Sequence, residues 1–327
     1  MPARGADRAA RLPRPLLPRR GEAARPGALR GAQLHLEKQG QVQRLLQQLP
    51  RAQQPRRGQP AAEDRPEAGR AAGRDAGHQQ DQRPIRQVIL IAVLLAACSA
   101  HAVEDRFPRV ADAYLPASLT KMMSALVTLE SGRLDEVVTV SRAASRETGS
   151  RIGLKAGQQL RVRDLLAAMV VRSANDACRA IADHFGVTFV SRMNQRVLAL
   201  GLRDTQFVDP CGHDRPGQYS TAADLARLAE QAMQHPEFAR LARTERVSIA
   251  TTDGRRRFHF TTTNALLGRY EGAIGVKTGS TGRAGNCLVA IAERKGVRVV
   301  LVLLNARNRW WNAAGVLDRA FEFHPQM

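Results

Sequence analysis

Apolar residues recur at helical spacing through the middle of the chain and crowd into strand-like runs in its carboxy-terminal third. Pro116 opens a helical pattern in which Met122, Ala125, Leu126 and Leu129 fall at i, i+3, i+4 and i+7, and Gly132 closes it. Residues 134–160 break into short polar and apolar pieces around Gly149, Gly153 and Gly157, which predicts loops and small strands. Asp164 is expected to cap a helix through Leu165, Leu166 and Met169, interrupted at Ser173-Ala174-Asn175. Helices are predicted over 177–185 and 189–200, the second stopped by Gly201. Ser220 or Thr221 with Asp224 then reads as a capping signal for a helix through Leu225, Leu228 and Met233.

Beyond residue 245 the period changes. Residues 247–250 and 257–261 flank Asp253-Gly254, a hairpin signal. Three strand-like runs follow at 274–278, 287–292 and 297–304, the last two joined by Lys295-Gly296, and a closing helix is predicted over 308–323. A helical middle packed on a terminal antiparallel sheet is an α+β arrangement.

The amino-terminal side is different in kind. Residues 1–87 are rich in Arg, Gln, Pro, Ala and Gly and hold no Phe, Trp or Tyr, too little apolar surface to offset chain entropy, so this tail is expected to be disordered. Arg83 and Arg86 precede an apolar run from Val88 to Ala97, followed by Cys98-Ser99-Ala100-His101-Ala102. That reads as a signal peptide over 83–102, cleaved after Ala102, with a core helix as the competing reading. Leu95-Ala96-Ala97-Cys98 also resembles a lipoprotein box, which would attach the protein loosely to a membrane through Cys98. A signal lying behind more than eighty residues, with no Met between Met1 and Met122, suggests a translation start set too far upstream. The domain reading is therefore a tail, a signal, and one enzyme-sized domain over 103–327, with a periplasmic or envelope location.

Charge and cysteine change this picture little. Half of the net charge of +20 falls in the tail, and the remainder forms no basic helix or aromatic platform, so nucleic-acid binding is not expected. Cys178, Cys211 and Cys287 have no metal-ligand spacing and read as small buried residues. Neither a metal nor a cofactor is expected. Lysine is more informative. Only five occur, at 38, 121, 155, 277 and 295, in a chain that otherwise uses arginine. Arginine does not give up its proton in a protein, whereas a buried lysine does, so these positions are candidates for proton chemistry.

Two of them stand in a set of three motifs: Ser118-Leu119-Thr120-Lys121, Ser173-Ala174-Asn175 and Lys277-Thr278-Gly279. Each alone has a plain structural explanation, as a helix cap, a turn and a strand exit. Together, in this order on helix, loop and strand, they resemble the S-x-x-K, S-x-N and K-T-G signatures of serine penicillin-binding proteins and class A β-lactamases. Pro116-Ala117-Ser118-Leu119-Thr120-Lys121-Met122-Met123 is similar to the low-molecular-weight D-alanyl-D-alanine carboxypeptidases and endopeptidases. Supporting echoes lie at 154–158, 219–224 and 282–288, and the resemblance spans about residues 114–322. It implies a penicillin-binding, transpeptidase-like fold, peptidoglycan peptides as substrate and β-lactams as inhibitors.

Spacing supports the chemistry. Residues at i and i+3 share a helix face, so Ser118 Oγ and Lys121 Nζ can meet, and a serine hydroxyl needs a base to become a nucleophile. Lys121 serves only if burial and a neighbouring cation, expected to be Lys277, lower its pKa. Ser173 is read as a proton relay toward the leaving amine and Asn175 as orienting the substrate amide. Lys277 and Thr278 suit the terminal carboxylate. By resemblance, the backbone N–H groups of Ser118 and of Ser280, just past Gly279, form the oxyanion hole.

Two departures qualify the match. The family carries a strand pair upstream of S-x-x-K, yet the fifteen residues from Val103 up to Ser118, 103–117, contain no hairpin, so the sheet is expected to be short on that side. The chain also ends soon after its last helix, which suits a one-domain, endopeptidase-like member. A class A β-lactamase is the rival enzyme, but it needs an E-x-x-L-N glutamate after the second motif and none occurs. An inactive envelope protein on the same fold is the non-enzymatic alternative.

Overall fold

The computed structural model describes residues 88–95 by their backbone and residues 113–322 with their side chains. A 3₁₀ turn, Ala117–Thr120, leads into helix α1 (Lys121–Glu130), of which every residue but Glu130 is buried. A helix so enclosed belongs at the centre of a core rather than on its surface. The small antiparallel pair β2 (Val137–Thr139) and β3 (Gln159–Arg161) brackets α2 (Arg142–Ser145), whose first turn is capped by Ser141 Oγ. Helices α3 (Val162–Val171), α4 (Asn175–Phe185), α5 (Phe189–Ala199), α6 (Ala222–Gln234) and α7 (Pro236–Ala242) pack around α1.

Two local details differ from the sequence reading. Helix α3 starts at Val162 with Arg161 as an uncapped N-cap. Asp164 therefore lies inside the first turn, where its carboxylate meets the positive end of the helix dipole instead of capping it. Helix α7 was not expected, although Pro236 at its first turn is the signal that marks such a start. The Thr221 cap on α6 is as predicted, its side chain accepting from the N–H of Asp224.

The hairpin β4 (Arg246–Ala250) and β5 (Arg257–Thr261) pairs in register across Asp253-Gly254. The main sheet is antiparallel in the order β1-β8-β7-β6, built from β6 (Ala273–Thr281), β7 (Gly285–Arg294), β8 (Val297–Leu304) and β1 (Val88–Leu95). Successive residues of β8 alternate between two buried faces: Val300, Val302 and Leu304 join the helical core, while Val299, Leu301 and Leu303 are buried on the side where α8 (Arg309–Glu322) packs.

Strand β1 revises the expected shortfall on the amino-terminal side. It runs antiparallel to β8 from Val88 opposite Leu304 to Leu95 opposite Val297. This is the segment the sequence presents as the apolar core of a signal peptide. An eight-residue run of Val, Ile, Leu and Ala satisfies both descriptions, because β-branched and aliphatic residues suit a strand and an apolar leader alike. The proposed cleavage and lipidation positions, Ala102 and Cys98, and the tail before residue 88 lie outside the described residues.

Candidate active site

The site forms where the start of α1 meets the edge strand β6 and the loop between α3 and α4. Ala117 takes a left-handed φ of 48° and Ser173 one of 62°, both non-glycine residues beside or within the motifs. Such strained backbone is held only where surrounding contacts over-determine it. Gly279 allows β6 to approach Ser118: a Cβ there would lie 3.1 Å from the backbone N of Ser118 and 3.1 Å from Cβ of Ala117.

Ser118 is half-buried and Lys121 is fully buried beneath it. As an ammonium, Lys121 Nζ donates to three oxygens: Ser118 Oγ at 2.9 Å, Asn175 Oδ1 at 2.7 Å and the carbonyl of Cys211 at 2.5 Å. This arrangement also suits a base. A neutral amine keeps two donations, to Asn175 and Cys211, and turns its lone pair on the Ser118 hydroxyl. Burial lowers the Lys121 pKa from its usual value to about 7, against the opposing pull of Asp209 and Glu147. The amine is thus poised to exchange a proton near neutral pH.

The second and third motifs meet beside it. Lys277 Nζ, also buried, donates to Ser173 Oγ at 2.8 Å and to the Thr278 carbonyl at 2.9 Å. Burial, then the charges of Lys121 and Arg309, push its pKa well down. Thr278 Oγ1 lies 2.6 Å from Thr263 Oγ1. Ser280 is exposed at the end of β6, with its Oγ donating to Asn286 Oδ1 at 3.2 Å. The Ser118–Lys121 and Ser173–Lys277 pairs are joined through the segment Ser173–Asn175, a set of groups suited to acyl transfer through an ester intermediate.

A family model described as D-alanyl-D-alanine carboxypeptidase matches residues 110–308, which include all three motifs. The chain belongs to that family. Among curated relatives, D-alanyl-D-alanine carboxypeptidase DacF of Bacillus subtilis is 35% identical over 226 residues, covering 64% of this chain and 57% of that protein. D-alanyl-D-alanine endopeptidase of Pseudomonas aeruginosa is 32% identical, covering 61% of this chain and 66% of that protein. The crystal structure of the Streptomyces K15 DD-transpeptidase superposes with a TM-score of 0.63 at 30% identity, covering 71% of this chain and 96% of that one. The penicillin-binding, α+β fold expected from the motifs is therefore the fold of this family member.

Three points add to the sequence reading of individual residues. Burial leads in lowering Lys121, with nearby carboxylates opposing it, and the mutual repulsion of Lys121 and Lys277 falls chiefly on Lys277. Asn175 is buried and bonded at both ends of its amide: Oδ1 accepts from Lys121, and Nδ2 donates to the Thr148 carbonyl at 2.6 Å. These bonds tie Asn175 to Lys121 and to the loop at Thr148, and leave its second Nδ2 hydrogen for a substrate amide. Cys178 and Cys211, read as separate buried residues, form a disulfide with Cα atoms 5.8 Å apart, while Cys287 is buried and free.

The disulfide exposes a part of the site that motif reasoning missed. It ties α4, just after Asn175, to the loop whose Cys211 carbonyl accepts from Lys121. Asp209 Oδ1 gathers the N–H groups of Cys211, Gly212 and His213 and so folds that loop. Burial would raise the Asp209 carboxyl, but the hydrogen bonds from His213 bring it down to about 2. Gly212 has no substitute here: at φ 85° a Cβ would stand 1.9 Å from the Ala117 carbonyl oxygen. Arg309, at the start of α8, donates to the carbonyls of Gly279 at 2.8 Å and Cys287 at 3.2 Å, supporting the K-T-G strand from behind. Asp209 before the turn at 210–212 was the available signal; nothing in the sequence marked Arg309.

Proposed function

We propose that this protein is a serine-type D-alanyl-D-alanine peptidase of the cell envelope, acting on peptidoglycan stem peptides through an acyl-enzyme at Ser118 and inhibited by β-lactams. The carrying observation is the oxygen cage around Lys121 Nζ, which leaves a neutral amine one free direction, toward Ser118 Oγ. Lys121 takes the Ser118 proton as Oγ attacks the penultimate D-Ala carbonyl, and the tetrahedral oxyanion is received by the N–H groups of Ser118 and Ser280. The leaving amine collects a proton through Ser173, which Lys277 contacts directly. Lys277 and Thr278 bind the terminal carboxylate, whose arrival favours the protonated form of Lys277. Water then resolves the ester.

Carboxypeptidase and endopeptidase differ only in the amine that leaves, and both activities occur among the names of the relatives. The decisive experiment is intact-mass analysis with benzylpenicillin, followed by chromatography of monomeric and cross-linked muropeptides after incubation. A stable penicilloyl adduct on Ser118 and loss of D-Ala or of cross-links are expected. Rapid penicillin turnover with both muropeptides untouched assigns a β-lactamase instead, and folded protein that forms no adduct assigns an inactive envelope protein.

A further inference from the structure

We propose that the groove beside Ser173, lined by Arg151, Arg172, Arg256 and Arg257, is a carboxylate-binding subsite for acidic residues of the acyl-donor peptide upstream of its terminal D-Ala-D-Ala. The inference rests on the peptidase reading and deepens it. The cavity holds about 550 Å³, and no acidic side chain lines it. Some arginines elsewhere are paired with carboxylates, as Arg133 is with Glu136, Arg240 with Glu237 and Arg298 with Glu230. Among the described residues none of the four groove arginines is ion-paired. Four like charges facing one space without counter-charge raise the free energy of the empty groove and favour an anion in it.

Arg256 adds a directional element. Its guanidinium lies over the Phe258 ring at 4.7 Å from the centroid, which fixes its plane. Nη1 is buried with no hydrogen-bond partner. A buried donor left unmatched is costly, and a planar guanidinium is matched best by a carboxylate, two oxygens to two N–H groups.

Position supplies the rest. Arg172 immediately precedes Ser173, and its carbonyl accepts from Ser150 Oγ at 2.8 Å, while the Ser150 carbonyl accepts from the Asn175 N–H at 2.7 Å. On the opposite wall, Thr261 ends β5, and two residues later Thr263 reaches Thr278 with its hydroxyl and the Val171 carbonyl with its N–H. The groove is therefore a direct extension of the cleft between the second and third motifs. On this proposal a peptide whose terminal carboxylate rests on Lys277 and Thr278 extends its preceding residues along the groove toward the four arginines. A pocket of this size holds a few side chains of that peptide rather than a polymer chain.

The test compares two D-Ala-D-Ala-terminated peptides, one with free carboxylates on its upstream acidic residues and one with those groups amidated. The readout is the ratio of their kcat/KM values, within which any general change in rate cancels. The wild-type protein is expected to favour the free-carboxylate peptide about tenfold, the equivalent of one charge-assisted hydrogen bond. Arg256→Gln and, separately, the exposed Arg257→Gln are each expected to bring the ratio toward one. A penicillin-reactive enzyme indifferent to amidation overturns the subsite alone. Indifference together with inhibition by polyphosphate assigns the groove to an anionic polymer and likewise overturns it. Loss of both peptide cleavage and penicillin adduct overturns the peptidase reading and the subsite with it.

Discussion

A lysine with no exposed surface, held by three oxygens within 2.9 Å, is the residue on which the proposed chemistry turns. Its role makes opposite predictions for two substitutions that both keep a positive charge. Lys121→Arg is expected to reduce acylation by roughly 10²- to 10⁴-fold, the usual contribution of a positioned general base, because a guanidinium accepts no proton. Lys277→Arg is expected to retain part of the rate, since its contact with Ser173 requires a donor rather than a base. Penicilloyl-adduct formation followed by mass spectrometry checks both, and equal tolerance of the two changes removes the base assignment. The pH profile follows from the same group. Only the neutral amine can take the Ser118 proton, so the second-order acylation rate should rise about tenfold per unit as pH increases toward 7 and level off above it. A rate that falls through neutrality contradicts this.

At the level of elements, the site depends on a clamp between α4 and the loop at 209–213. The Cys178–Cys211 disulfide closes a separation of 33 residues, for which chain-entropy arguments give roughly 3–4 kcal/mol of stabilisation. It also fixes the Cys211 carbonyl that receives a hydrogen bond from Lys121. Cys178→Ser is therefore expected both to lower Tm by roughly 10 °C and to slow acylation at temperatures where the protein remains folded. Calorimetry and stopped-flow acylation measure the two separately, and unchanged acylation would reduce the bridge to a purely structural role. Sequence spacing did not disclose this pair. Two cysteines 33 positions apart carry no mark of proximity until α4 and the loop are packed, whereas Ser118 and Lys121 are brought together by helix geometry alone.

For the whole molecule, the open question of organisation concerns residues 88–95. As β1 they complete the edge of the main sheet against β8, and as the apolar centre of a signal peptide they would leave with the leader. One mature chain cannot do both. We propose export with cleavage, and amino-terminal sequencing of envelope-fraction protein is expected to return Val103. A mature chain beginning before Val88 overturns the cleavage and keeps β1 in the sheet, while a lipidated Cys98 would place the protein on a membrane.

Much of this protein is already determined by its sequence. Helical and strand periods locate the described helices apart from α2 and α7, and the carboxy-terminal meander. Three short motifs single out the proposed nucleophile, base and carboxylate-binding strand, because those roles demand particular side chains at local spacings. What tertiary structure decided lies in contacts without a residue signature. The Cys211 carbonyl is a backbone group that any residue would carry, and Arg309 reaches Gly279 from an element thirty residues away. The four unpaired arginines become one groove only when the loop before α4 and the β4–β5 hairpin face each other. Side-chain identity is written in the sequence, but which backbone oxygen or distant cation a side chain meets is settled by the path of the chain through space.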